Sequence, residues 1–260
     1  MKKYFITSDV HGFRDVLASE LFCNNFMFSD PDHILVICGD ILDRGKQAIE
    51  LISFLLDLKK QGRLIIIRGN HEDLMDDCLR ALEQRTDIGM HHFTNGTVDS
   101  IEQLTGVNKY DLACGLYNFR EIKEKIADYF ELVKDAVDYF EVGDYILVHG
   151  WFPYVLQDTH CESGELSAIL KPVFIKNATK EDWDKARWLN GMKEASSGAI
   201  IPNKTIVCGH YHTGWGHKNI HNICLDEFDC FDIYKDKGII ALDSCVAYSH
   251  KLNILVIEEE

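Results

Sequence analysis

VICGDILDRG, from Val36 to Gly45, begins as an apolar run suited to a buried strand, then breaks at Gly39 and delivers Asp40, Asp43 and Arg44 in quick succession. A strand followed by a solvated turn accounts for this stretch taken alone, because Gly/Asp clusters often end strands. Four other stretches repeat the pattern. KKYFITSDVHG (Lys2–Gly12) ends in Asp9, His11 and Gly12, and RLIIIRGNHE (Arg63–Glu72) carries Gly69, Asn70 and His71 near its end. YILVHG (Tyr145–Gly150) closes on His149, and KTIVCGHYH (Lys204–His212) on Gly209, His210 and His212. Each run is short, β-branched and flanked by glycine, which favours buried strands over helices. Each also ends in a residue type that binds hard or borderline metal ions. Five such endings point to one shared site.

The intervening segments set the architecture. Helices expected at Arg14–Leu21 and Gln47–Lys60 alternate with strands at Tyr4–Ser8, Ile34–Cys38 and Leu64–Ile67. That alternation predicts parallel β-α-β units with right-handed crossovers, whose ligands gather at the carboxyl ends of the strands. From Glu72 to about Asp138 the pattern turns helical, as in the amphipathic NFREIKEKIADYFELVKDAVDYF, with MHHFTNGTVDS (Met90–Ser100) read as a polar loop. A second irregular stretch is expected from Trp151 to Asn203, after which GIIALDS and KLNILVIEE are expected to complete a second sheet. The expectation is one α/β domain over residues 1–260, with a cap-like helical insertion at about 72–140.

Composition narrows the function. A formal charge of −15 argues against a broad nucleic-acid surface and requires a local positive centre for any anionic substrate. No segment approaches the roughly 20 apolar residues needed to cross a bilayer, and MKKYFITSDVHG does not read as a cleaved signal. Nine cysteines without a CxxC pair favour reduced thiols and a cytoplasmic setting over a disulfide framework or zinc ribbon.

Asp9, His11, Asp40, Asn70, His149, His210 and His212 thus gather at one expected sheet edge. Carboxylate, imidazole and amide oxygen suit manganese, iron, zinc or a similar divalent ion, and the lack of thiolates argues against a structural zinc. So many ligands exceed the needs of one ion with open positions. Two ions bridged by one carboxylate and one water or hydroxide use them all and clamp an in-line displacement. Asp40 is the natural bridging carboxylate. Arg44 can hold phosphate oxygens through its planar fork, His71 can protonate a leaving oxygen, and Asp43 can orient that imidazole. His91, His92, His217, His221 and His250 read as surface or loop histidines. Asn95 and Gly96 read as turn residues or as facing substrate, with equal weight.

The motifs SDVHG, GDILDRG, RGNHE, LVHG and CGHYH resemble the calcineurin-like metallophosphoesterases, and GDILDRG with RGNHE looks most like the serine/threonine protein phosphatase branch. The resemblance implies a sandwich of two mixed β-sheets flanked by helices, with metals at the sheet edge. It implies Asp9, His11 and Asp40 at the first ion and Asp40, Asn70, His149 and His210 at the second, with His71 paired to Asp43 as the acid. Arg187, in KARWLNG, is the candidate second phosphate-binding arginine. The chain departs from that branch where Thr-Pro would follow the last histidine ligand. His210-Tyr211-His212 stands there instead, a form usual in other branches, whose second histidine binds the first ion. WFPYVLQ after His149 also lacks the second glycine common in the branch.

The first function expected is a cytoplasmic two-metal phosphomonoesterase acting on phosphoserine, phosphothreonine or a small phosphate ester. The second is a dinucleoside polyphosphate hydrolase, which would need an aromatic, basic trough from residues such as Trp151, Trp215 and Arg187. A third, an inactive phosphate-binding scaffold, is disfavoured because the ligands, the acid and its partner are all present. No partner protein is deducible.

Overall fold

Along the chain the strands are β1 (Lys2–Thr7), β2 (His33–Cys38), β3 (Leu64–Ile67), β4 (Phe140–Val142), β5 (Tyr145–Leu147), β6 (Tyr154–Thr159), β7 (Ile169–Phe174), β8 (Thr205–Cys208), β9 (Tyr234–Asp236), β10 (Ile239–Ala241) and β11 (Leu255–Glu259). They are taken from a computed structural model that describes residues 1–159, 169–174 and 177–259. One sheet has the order β11-β1-β2-β3 and the other β4-β5-β8-β10-β9. β1, β2 and β3 are parallel, as are β5, β8 and β10, whereas the edge strands β11, β4 and β9 are antiparallel to their neighbours. β6 and β7 form a separate two-stranded ribbon.

Side-chain alternation turns these sheets into layers. Tyr4, Ile6, Val36 and Cys38 on the first sheet share one apolar layer with Leu147, Val207, Ile240 and Leu242 on the second. Their strand neighbours point the other way. Phe5, Leu35 and Ile37 pack beneath helices α1 (Arg14–Cys23), α2 (Ala48–Lys60), α3 (Asn70–Gln84), α4 (Met90–Thr94) and α5 (Thr97–Thr105). Ile146, Ile206 and Ile239 pack against Trp151, Trp183 and Met192 on the opposite outer face. The fold is therefore the expected α/β sandwich of two mixed sheets flanked by helices. Period-two alternation between two buried faces explains why the strands read as continuous apolar runs.

Four local expectations change. KLNILVIEE joins the first sheet, not the second, with Lys2 opposite Glu259 and Ile6 opposite Leu255. Its Glu258 meets Lys3 at 2.7 Å and its Glu259 accepts from the Tyr4 hydroxyl at 2.9 Å, satisfying an edge that β1 would otherwise expose. The single amphipathic run from Asn118 breaks into helices Phe119–Lys125 and Ala127–Val133. Val137 beyond them bridges to Ile67, donating to Ile66 O at 3.0 Å. The stretch from Met90 to Ser100 is helical in most of its length, not a loop. The irregular stretch from Trp151 to Asn203 contains β6, β7 and helices Lys180–Ala186 and Gly191–Ser196. Among the described residues, no helix is long and apolar enough to cross a membrane.

Candidate active site

Because three strands of each sheet are parallel, their carboxyl ends converge on one edge of the sandwich. Asp9 and His11 follow β1, Asp40 follows β2, and Asn70 and His71 begin α3 directly after β3. His149 follows β5, His210 follows β8, and Asp243 follows β10. Asp9, Asp40, Asn70 and His149 are each no more than 2% exposed. The backbone here is unusual. Seven of the twelve described non-glycine residues with positive φ lie in this region: Asp9, His11, Asp40, Asp43, Arg44, His210 and Cys245. The left-handed region costs roughly 1–2 kcal/mol for a side-chain-bearing residue, so the surrounding structure holds these turns against a local preference.

Glu72 shows how. Its carboxylate accepts from Asp40 N at 3.0 Å, Ile41 N at 3.0 Å and Gly69 N at 2.7 Å, so the first turn of α3 locks the turn after β2. Gly39, at φ 80°, leaves the room this requires. A Cβ there would lie 2.5 Å from His149 Nδ1.

Asp40 stands between two sets of donors. Its Oδ1 lies 3.3 Å from His149 Nε2 and accepts from His71 N at 3.0 Å. Its Oδ2 lies 3.9 Å from His11 Nε2 and 3.7 Å from His71 Nε2. Two groups of side chains are close enough to hold an ion each, and they share this residue: His11, Asp40 and His71, and Asp40, His149 and His210. Asp9 adds an oxygen 4.0 Å from His11 Nε2, and its other oxygen accepts from His210 N at 2.9 Å.

The donor atoms fit divalent cations. His11 Nδ1 faces Leu42 O and His149 Nδ1 faces Cys38 O, both at 2.8 Å. Donating there fixes the tautomer and turns each Nε2 lone pair inward. His149 Nε2 then meets two oxygens, Asn70 Oδ1 at 2.8 Å and Asp40 Oδ1. A neutral ring satisfies only one of its two sides, and a cation satisfies the other. His212 Nδ1 is buried with no hydrogen-bond partner among the described residues.

The electrostatics agree. Burial first, then Asp243 and Asp40, push the Asp9 carboxyl well above its usual value. Burial pushes His11 and His210 down to about 3. The neutral imidazoles are in the state that ligates metal, whereas the crowded acids lack a counter-charge and need a cation beside them to ionise at little cost.

His71 behaves differently. Its Nδ1 lies 2.6 Å from Asp43 Oδ2. Burial alone would lower its pKa, but Asp40 and Asp43 override it and raise the group to about 9. Asp43 is in turn braced by α5. Ser100 Oγ donates to Asp43 Oδ1 at 2.7 Å and accepts from Asp43 N at 3.0 Å, and Thr97 Oγ1 donates to Oδ2 at 3.1 Å. Gly96 lets α5 approach so closely, since a Cβ there would come within 2.7 Å of Arg44 N. Close approach, then, and not turn chemistry alone, explains this glycine.

These side chains open into a cleft whose wall includes His11, Asp40, Asn70, His71, His210 and His212. Exposed Arg44 stands at the same wall. Arg187 does not. Its guanidinium binds Asp73 at 2.8 Å, Asp184 at 2.7 Å and Asp138 at 2.5 Å, and its residue is 4% exposed. This corrects the expectation of a second phosphate arginine, since three carboxylates already occupy the charge. Trp151 is fully buried in the outer layer of the second sheet and Trp215 packs against that layer, so neither belongs to the expected trough. The neighbour of Arg187, Trp188, does line the cleft, as do Asn95, Asp243 and Cys245. Asp243 carried the same strand-end signal as the five motifs, in GIIALDS. Thr97 and Ser100 carried none, because their partner Asp43 is more than fifty residues away in sequence.

The sequence profile of the calcineurin-like phosphoesterase family matches residues 2–214, which spans the strand-end residues Asp9 to His212. The chain belongs to the calcineurin-like phosphoesterases. Membership places it among metal-binding hydrolases of phosphate esters, a family built around a dinuclear metal centre. Among solved structures, a cold-active protein tyrosine phosphatase is similar at 20% identity and a TM-score of 0.53, over 99% of this chain and 74% of that one. A protein serine/threonine phosphatase from Saccharomyces cerevisiae, with similarity to human phosphatase PP5, matches at 14% identity and a TM-score of 0.51, over 96% of this chain and 69% of the other. A putative diadenosine tetraphosphatase matches at 14% identity and a TM-score of 0.45, over 100% and 94%. The first two similarities concern the fold alone.

Proposed function

We propose that this phosphoesterase hydrolyses phosphate monoesters, with phosphoserine and phosphothreonine residues as its substrates. Asp9, His11, Asp40, Asn70, His149, His210 and His212 would hold two divalent ions, manganese by the reading of the donor set. Those ions would supply positive charge to the phosphoryl group and a water nucleophile at neutral pH. Arg44 would bind the remaining phosphate oxygens as a planar fork. The net charge of −15 makes such a local centre necessary and favours a protein or small ester over nucleic acid. The free state of the described cysteines supports a reducing, cytoplasmic setting.

The observation that carries the monoester reading is the 2.6 Å contact between His71 and Asp43 beside Asp40 in the cleft wall. His71 donates its Nδ1 proton to Asp43, which fixes the ring. With a pKa raised to about 9, it keeps a second proton on Nε2 at neutral pH, aimed toward Asp40 and the cleft. That proton would pass to the departing alkoxide of serine or threonine. An alkoxide needs it badly, whereas a nitrophenolate stabilises its own charge. His71→Asn should therefore slow hydrolysis of a phosphoserine peptide by roughly 10²–10⁴-fold and of an aryl phosphate clearly less, at unchanged metal content. Equal losses on both substrates, with chemistry rate-limiting, would remove the acid role.

A second reading, hydrolysis of dinucleoside polyphosphates, has one observation in its favour. Trp188 and Tyr211, 49% and 38% exposed, both set an edge against His210, with ring centroids at 5.7 and 5.1 Å. Such rings could stack a base. Parallel assay of phosphopeptides and diadenosine polyphosphates decides between the two readings.

A further inference from the structure

Outside the cleft, Asp77, His91 and His92 bring three ligand atoms within 4.8 Å of one another. Asp77 projects from the middle of α3, and the two histidines from α4. None of the three lines the cleft. His92 Nε2 lies 3.3 Å from Asp77 Oδ2, and the rings of His91 and His92 lie 4.0 Å apart between centroids. Two donors each about 2.0–2.1 Å from a tetrahedral zinc ion stand roughly 3.3–3.5 Å apart. The His92–Asp77 pair already has that spacing. His92 is 1% exposed and therefore fixed, and its Nδ1 has no partner among the described residues. Asp77 and His91 are exposed and can swing in to complete the set. A competing cation, Arg80, reaches Asp77 Oδ1 only at 3.6 Å with both side chains more than half exposed. Exposed pairs of that kind contribute little and yield to an ion.

We infer that Asp77, His91 and His92 form a separate divalent-metal site of the zinc class, with two imidazoles, one carboxylate and water as the fourth ligand. This donor set is borderline in softness and matches zinc better than magnesium or calcium. Its place in the fold gives it a structural task. A bound ion ties the middle of α3 to α4. The next helix, α5, carries the Thr97 and Ser100 hydroxyls that brace Asp43, and Gly96 before it packs on Arg44. The ion would thus staple the insertion to the elements under the cleft without entering it.

The test is calorimetric titration of zinc into the manganese-loaded full chain, with released manganese measured in parallel. The wild type should take up one zinc equivalent that displaces no manganese. Asp77→Asn and His91→Ala should each weaken that equivalent by about 10-fold or more, with manganese content and zinc-free hydrolysis unchanged. Both positions are exposed, so folding is not at stake. Zinc uptake only by exchange with manganese, or equal uptake by all three proteins, would mean that Asp77 and His92 share a hydrogen bond and nothing more.

Discussion

At Asp40 the backbone is held at φ 58° while the two carboxylate oxygens face different imidazoles, His149 on one side and His11 and His71 on the other. Burial opposes its charge, yet the surrounding histidines, His149 foremost, hold the carboxyl below its usual value. A neighbour so placed also controls His71, together with Asp43. If His71 is the proton donor, its working form is the protonated one, present below its pKa and lost as pH rises through about 9. Asp43→Asn removes one of the two carboxylates that raise this value, while burial, which lowers it, remains. The alkaline limb of kcat on a phosphoserine peptide should therefore shift to lower pH in the variant. The limb on an aryl phosphate should be shallower in both proteins. A limb that stays in place on the peptide would show that Asp43 does not set the proton affinity of His71.

At the scale of elements, the five strand endings were legible because the requirement is local: an apolar run, a glycine, then a ligand. What decides the rest is not local. Arg187 in KARWLNG read as a phosphate binder only through the family resemblance, but Asp73 on α3 and Asp138 before β4 reach it only in the folded chain. MHHFTNGTVDS read as a loop because Asn-Gly and paired histidines mask two short helices, and the value of Ser100 lies in an aspartate on another element. Asp243 was visible by the same rule as its neighbours, whereas the antiparallel pairing of β11 with β1 was not encoded in its alternation. Arg187 also supports a prediction. Arg187→Ala breaks contacts among α3, the segment before β4 and helix Lys180–Ala186, and leaves Asp138 and Asp184 without this partner. Truncating one member of a buried pair costs up to roughly 3–5 kcal/mol, and partly exposed partners reduce that toward about 2 kcal/mol. The melting temperature should fall by several degrees while inhibition by inorganic phosphate is unchanged. Weaker phosphate inhibition at an unaltered melting temperature would return Arg187 to the site.

For the molecule as a whole, both sheets direct their parallel strands toward one edge, so the acids of two half-sandwiches meet there in a chain already carrying −15. Asp9 and Asp243 are both raised, by burial first. A raised folded-state value means that ionising these groups at pH 7 opposes folding, a cost that disappears as pH falls and they protonate. A bound cation removes the same cost at neutral pH, so chelation at pH 7 should lower the melting temperature and manganese should restore it. The histidines set the pH window of that gain. His11 and His210 sit at about 3 in the fold, because of burial, against about 6.5 when unfolded. As pH falls below 6.5 the unfolded chain takes up these protons first, so the stability the histidines support above 6.5 is progressively lost toward 3. Protons and metal compete for the same nitrogens. The rise in melting temperature on adding manganese should therefore be largest near pH 7 and shrink toward pH 5. Asp40→Asn, which removes the shared carboxylate charge, should show a smaller rise at every pH and bind less metal by elemental analysis. Scanning calorimetry of chelated and reloaded protein across this range is the measurement, and a melting temperature indifferent to metal at pH 7 would sink the two-ion reading of the sheet edge.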